Sequence, residues 1–184
     1  GGFVTMLHDN IRNFEANLLK RVCNDVEVEP RLQPVENDEA RLDIRARSFW
    51  RPGQSAFFDV RVTNTNSKSQ EATPMQTIYK RHEDEKKRKY GERVLNNEHG
   101  SFTPLVFSMT GGMSKECIIY HKFLAEKICQ KTEQRYDQVM AWIRCKLSFI
   151  ITRSALLCLR GSRSVKMNTD VTEDFDLACI DARL

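Results

Sequence analysis

Apolar residues along the chain first recur with a helical repeat. Ile11, Phe14 and Leu18 stand three or four positions apart, which predicts an amphipathic helix over residues 10–23. An alternating run over residues 26–29 follows and stops at a proline, as a short strand does. The N-terminal part of the chain therefore predicts one helix followed by one strand.

The next two apolar runs alternate with period two, the repeat of a β-strand. They cover residues 41–47 and 56–62, and the turn Arg51–Gly53 between them predicts a hairpin. Asp43 and Asp59 then belong to neighbouring strands. The first run should carry Arg41, Asp43, Arg45 and Arg47 on one face and Leu42, Ile44 and Ala46 on the other.

The second half of the chain predicts three further helices and one strand. A charged helix should run from Met75 to about Asn96, and an apolar strand from Phe102 to Met109. Helices are expected over 117–128 and 136–159. The predicted order is α-β-β-β-α-β followed by two C-terminal helices, an α/β (α+β) fold. Residues 1–164 form one domain, and residues 165–184, which show no sustained period, are expected to be a poorly ordered acidic tail.

Composition favours an intracellular protein with a polyanionic partner. The formal net charge is +4, but basic residues are clustered, notably in Lys86–Lys89. The six cysteines show no C-x-x-C spacing, as expected for reduced thiols. The longest apolar stretch, 147–159, is too short to cross a bilayer and contains Arg153, so no membrane contact is expected.

The two strand acids indicate a metal and phosphate chemistry. Carboxylates from adjacent strands, here Asp43 and Asp59, can hold Mg²⁺ (or Mn²⁺), which prefers oxygen ligands and keeps several waters. Arg61 follows Asp59 by two residues and therefore projects from the same strand face. A cation there can stabilise negative charge that develops on phosphorus.

At these positions the chain resembles the restriction-endonuclease-like PD-(D/E)XK nucleases. Their core has the order α-β-β-β-α-β, with an acid on the second strand and acid-x-lysine on the third. The resemblance implies that Asp43 and Asp59 are catalytic acids and metal ligands, with Arg61 in the position of the lysine.

Longer phrases resemble a narrower group, the C-terminal segment of polyproteins from LINE-type non-LTR retrotransposons in animals, downstream of the reverse transcriptase. This resemblance implies a nuclear endonuclease that nicks target DNA to prime reverse transcription, with DNA, the element RNA and the upstream reverse transcriptase as partners. The matching stretches are Gly1–Val4, Val22–Pro30, Asp38–Asp43, Phe57–Val62, His82–Lys87, Phe102–Val106 and Leu156–Arg163.

Several candidate residues keep two interpretations. An arginine does not readily give up a proton. Arg61 is therefore expected to stabilise charge, and activation of the attacking water falls either to the metal or to Lys86 on the following helix. Glu15 either joins the acids, as first-helix glutamates do in related nucleases, or lies at a boundary and reaches water. His82, one turn before Lys86, is either an active-site group or an amphipathic side chain.

The remaining alternatives concern the surface and the function as a whole. Lys80, Lys87 and Arg88 either bind phosphates or form a solvated helix face. His8, His99 and His121 are isolated in sequence and are expected to be structural or exposed. The rivals of an endonuclease are an inactive nucleic-acid-binding module and an interaction module of a larger polyprotein.

Overall fold

The helices and strands form a mixed α+β structure. The computed structural model describes residues 2–35, 39–64 and 72–160, so the predicted tail of residues 165–184 lies outside the described residues. The α+β class predicted from the sequence is confirmed. The elements are α1 Gly2–Val22, β1 Val26–Val28, β2 Ile44–Arg47, β3 Ser55–Thr63, α2 Met75–Asn96, β4 Ser101–Ser108, α3 Lys115–Thr132 and α4 Tyr136–Arg160.

The four strands form one sheet in the order β1-β2-β3-β4. β1, β2 and β3 are antiparallel neighbours, whereas β3 and β4 run parallel. Ile44 pairs with Phe58 across β2 and β3, and Asp59 pairs with Pro104 across β3 and β4. The parallel pair needs a crossover, and α2 supplies it.

The alternation of β3 divides the interior into two parts. Phe58 and Val60 belong to the main core, which α1, α3 and α4 cover. Phe57 faces the other way and packs with Tyr90 and Val94 of α2 in a smaller cluster. The sheet therefore lies between three helices on one face and one helix on the other.

The first helix begins earlier than the sequence pattern predicts. It starts at Gly2 rather than near residue 10, because Leu7 is fully buried and continues the stripe of Ile11 by one turn. Asp9 lies within the helix and forms an i,i+3 ion pair with Arg12. The prediction of the start was therefore wrong by two turns.

The alternation of the second strand breaks at Asp43. Leu42 packs in the cluster under α2, whereas Ile44 lies in the main core. The Asp43 N–H donates to the carbonyl of Phe58, one residue out of step with the Ile44–Phe58 pairing. The expectation that Leu42 and Ile44 share a face was wrong, because this local bulge reverses the phase of the strand.

Two general expectations can be compared with the described part of the chain. There, no helix has the length and apolar character required to cross a membrane. Cys23, Cys117, Cys129 and Cys145 are free thiols, and the first two of them are buried. Burial raises the pKa of the Cys117 thiol well above its usual value, so this side chain is held as an uncharged core residue.

Candidate functional site

Asp59 is a buried carboxylate in the middle of the sheet. It lies on the β3 face that also carries Phe57, and the residue is 5% exposed. Nζ of Lys86, from the second half of α2, lies 2.6 Å from Oδ2 of Asp59. The lysine thus reaches the acid from the helix that crosses above the strand.

Asp43 is held in place by both neighbouring strands. Its Oδ2 accepts a hydrogen bond of 2.6 Å from the N–H of Val60, and its carbonyl accepts one from the N–H of Glu29, just after β1. The bulge that breaks the alternation makes this arrangement possible, because it turns the aspartate side chain back onto the backbone of β3. Asp43 is therefore fixed beside the residue that follows Asp59.

His8 of α1 completes this group from the opposite side of the sheet. Its Nε2 lies 3.2 Å from Oδ2 of Asp43, and its Nδ1 lies 3.2 Å from Oδ1 of Asp9. The hydrogen bond to Asp43 raises the pKa of His8 to about 8, against the effect of burial. At neutral pH the imidazole is largely protonated and donates to Asp43.

His8 was expected to be structural or exposed, and it is half-buried with its ring paired to Asp43. It precedes Ile11 by three residues on the buried stripe of α1, and its ring reaches Asp43, 35 positions later in the chain. The signal in the sequence was this helical spacing. It was missed because the predicted helix started too late.

Electrostatic effects link the two acids. Burial raises the pKa of Asp59 above its ordinary value, and the charge of Lys86 opposes that increase. The negative charge of Asp43 raises the pKa of Asp59 further, and His8 lowers it. Two carboxylates and two cationic side chains thus form one coupled group, which we call the Asp43–Asp59 site.

Arg61 and His82 lie outside this site. Arg61 is exposed. Nε2 of His82 lies 3.2 Å from Oγ1 of Thr63, and its Nδ1 lies 3.5 Å from Oε2 of Glu85. Burial and the nearby charge of Arg61 lower the pKa of His82. Of Arg61 and Lys86, the two cations expected beside the acids, Lys86 is the one that contacts Asp59.

Glu15 is enclosed in the main core. It is fully buried, and its Oε1 lies 2.9 Å from Nε2 of His121 on α3. The other ring nitrogen of His121 lies 2.9 Å from the carbonyl of Cys117. The structure therefore pairs Glu15 with His121 rather than with Asp43 or Asp59, and the boundary position open to water is not observed. His121 is a buried structural residue, which is one of the two alternatives that the sequence left open for it.

The basic residues of α2 divide into two groups. Lys80 and Arg88 are exposed and line a shallow concavity with Arg81 and Asp84. Lys87 instead forms an ion pair with Glu116 at the start of α3. The outer face of α2, which carries Lys80, Arg81 and Arg88, is therefore the candidate surface for phosphate contacts. Lys87 lies at its edge.

The candidate metal ligands of the Asp43–Asp59 site are its two carboxylates. Within the described residues, no group of three or more histidine, cysteine, aspartate or glutamate side chains could hold a metal ion. Mg²⁺ is commonly bound through one or two carboxylates together with waters and substrate phosphates. Two carboxylates fit Mg²⁺ bound in this way, with waters and a phosphate as its other ligands. They do not surround the ion with protein ligands alone.

No family model matches this chain, and no curated protein shows significant similarity to it.

Proposed function

We propose that this domain is a Mg²⁺-dependent endonuclease that cleaves phosphodiester bonds of DNA. The observation that carries the proposal is the contact of 2.6 Å between Lys86 and Asp59, with Asp43 coupled to the same carboxylate. Two acids and a lysine that converge from separate elements are the groups that metal-assisted phosphodiester hydrolysis requires. The proposal includes a restriction-endonuclease-like fold for this domain, which agrees with the mixed sheet.

Asp43 and Asp59 would hold the metal ion. When bound, Mg²⁺ would neutralise charge on the scissile phosphate and lower the pKa of a bound water. Without it, the cations Lys86 and His8 balance the two carboxylates, so the site has no excess of negative charge. A divalent cation would therefore make the site net positive, which favours a phosphate ligand.

The residues of the chain have separate tasks in this proposal. Lys86 stabilises the negative charge of the phosphate and opposes the increase in the pKa of Asp59 that burial causes. His8 orients Asp43 through its hydrogen bond. Arg61, exposed on the same strand, contacts the DNA backbone near the site rather than the reacting phosphate.

The outer face of α2 provides the wider contact with the nucleic acid. Lys80, Arg81 and Arg88 lie on that face. Lysine and arginine side chains that neutralise phosphates release counterions, so binding through them must weaken as salt rises. The resemblance to retrotransposon segments further favours a nuclear domain that nicks target DNA beside its reverse transcriptase.

The direct experiment is nicking of supercoiled plasmid DNA by the purified domain with Mg²⁺, Mn²⁺ or EDTA. We expect nicking with either metal, none with EDTA, and a loss of at least a hundredfold in Asp59→Asn. Asp25→Asn is a matched control, because Asp25 is exposed and paired with Arg45 outside the site. Absence of cleavage by the folded wild type with either metal would overturn the proposal.

The second candidate is a nucleic-acid-binding module without catalysis. The specific observation in its favour is that Lys86 and His8 already pair with the two acids. Isothermal titration with Mg²⁺ separates the two functions. Salt-sensitive DNA binding without metal binding identifies the module, whereas metal binding that Asp43→Asn removes supports the nuclease.

A further inference from the structure

A second concave site lies beside α2, away from the paired acids. It encloses about 550 Å³ between the hairpin turn, the C-terminal half of α2 and the start of β4. Trp50 and Phe102 provide aromatic walls, while Arg51 and Lys87 bring positive charge to the rim. Its size is in the usual range for small-ligand sites.

The aromatic walls are held in fixed positions before any ligand binds. Nε1 of Trp50 donates a hydrogen bond of 3.1 Å to Oγ1 of Thr103, and its ring stacks on Phe123 at a centroid distance of 4.8 Å. The ring of Phe102 is supported by Tyr90 at 5.9 Å. Rigid aromatic surfaces reduce the entropy lost on binding.

A helical glycine lines the open volume. Gly91 lines the site on α2, and a Cβ added to it would meet nothing within 4 Å. Arg51 is exposed and forms no recorded ion pair within the described ranges, whereas Lys87 pairs with Glu116. Arg51 is therefore the cation that a ligand can recruit without breaking an internal contact.

We propose that this concavity binds an unpaired nucleobase of a single-stranded nucleic acid, with the adjoining phosphate on Arg51. Aromatic surfaces beside cations are the combination that binds single strands, because every base offers a π-face and every nucleotide a charge. A peptide side chain would use the aromatic walls but would leave the cationic rim unpaired. The name unpaired-base site is used below for Trp50, Arg51, Lys87, Gly91 and Phe102.

The position of this site indicates which substrate the proposed nuclease prefers. This step rests on the proposed function. Phe102 lies two residues before Pro104, the residue that pairs with Asp59. That separation along β4 is about 7 Å, roughly two nucleotide steps. A strand held at the unpaired-base site would place a nearby phosphodiester at the acids, so the preferred substrate is DNA with a single-stranded segment.

The experiment measures binding in EDTA, so that it does not depend on cleavage. Fluorescence anisotropy compares labelled dT hexamer with a hexamer of abasic deoxyribose phosphates, which has the same charges and no bases. We expect the wild type to bind dT hexamer at least tenfold more tightly. Gly91→Leu should narrow the site and remove most of that difference, whereas Gly91→Ala should retain it.

Two charge variants complete the design. Arg51→Gln should weaken binding of both hexamers about threefold to tenfold, because it removes a phosphate contact. Arg47→Gln removes the same charge from an exposed position of the same hairpin and should change either affinity less than twofold. Equal thermal unfolding of Gly91→Leu and Gly91→Ala confirms that any difference between them is local.

Equal affinity of the wild type for the two hexamers would overturn the inference, as would equal behaviour of Gly91→Leu and Gly91→Ala. Base-dependent binding by a protein that does not nick plasmid leaves the inference standing and removes only the nuclease. A parallel measurement with rU hexamer distinguishes the two sources of an unpaired base. Tighter binding of dT supports the site with DNA as its source, and tighter binding of rU supports it with RNA.

Discussion

Nζ of Lys86 lies 2.6 Å from Oδ2 of Asp59, whereas Arg61, two residues after Asp59 on the same strand, is exposed. The cation next to the buried acid therefore comes from α2 and not from β3. This relationship decides which of the two residues should affect chemistry and which should affect the contact with DNA.

Lys86→Met should lower plasmid nicking by about 10²-fold to 10⁴-fold. The substitution removes the charge beside Asp59 and retains much of the aliphatic stem, so it tests the cation with little change in packing. Single-turnover nicking with saturating Mg²⁺ measures the effect.

Arg61→Gln is the matched comparison for Lys86→Met. Arg61 should act on binding, so its loss should reduce affinity for DNA by less than tenfold and leave the saturated rate nearly unchanged. A saturated rate that falls equally in Arg61→Gln and Lys86→Met would contradict the assignment of the two roles.

His8 should titrate with a pKa of about 8 in the metal-free protein, and Asp43→Asn should return that pKa towards 6.5. The reason is the hydrogen bond that the imidazolium donates to Asp43. Heteronuclear NMR of the imidazole in EDTA measures both values. An unchanged His8 pKa in Asp43→Asn would contradict the contact.

The same shift makes the stability of the domain depend on pH. Because the folded-state pKa lies above the unfolded value, the contribution of His8 is complete below pH 6.5 and is lost as pH rises through about 8. His8→Gln should therefore lower the free energy of unfolding by about 1 kcal/mol at pH 6 and by much less at pH 9. Urea denaturation measures the free energy of unfolding at both pH values. His99→Asn, at an exposed histidine, is the control.

Asp59→Asn should remove cleavage without destabilising the domain. Burial raises the pKa of Asp59, so ionisation of this carboxyl lowers the stability of the folded domain. The loss of stability grows as pH rises through the folded-state pKa. An amide has no such cost and keeps a polar oxygen beside Nζ of Lys86. At pH 7 we expect the free energy of unfolding to stay constant or to rise by up to about 1 kcal/mol. A large loss of stability would identify Asp59 as structural.

Glu15→Ala should lower the free energy of unfolding by about 3–5 kcal/mol, because it leaves the buried ring of His121 without its partner. Glu15→Gln should cost much less and should retain nicking. Urea denaturation and the plasmid assay measure the two effects, with Glu126→Ala at an exposed position of α3 as control. Loss of nicking in a stable Glu15→Gln protein would place Glu15 in the active site.

The sequence was sufficient for most elements of the fold and for part of the candidate site. Phe57 and Phe58 lie on opposite faces of β3, as the period of two predicts, because alternation in a continuous strand depends only on local geometry. The same rule failed at Asp43, since a bulge depends on the hydrogen bonds of two neighbouring strands. His8 was missed for a related reason, as its contact with Asp43 spans 35 positions.

The sequence by itself determined the class of the fold and the acids worth testing, because side-chain periodicity follows from the backbone of each element alone. The tertiary structure decided that Lys86 contacts Asp59 and that Glu15 is enclosed with His121. It also decided that His8 reaches Asp43 and that Trp50 and Phe102 share one concavity. Each of these contacts joins residues from different elements, and their distances depend on how helices and sheet pack around a common core.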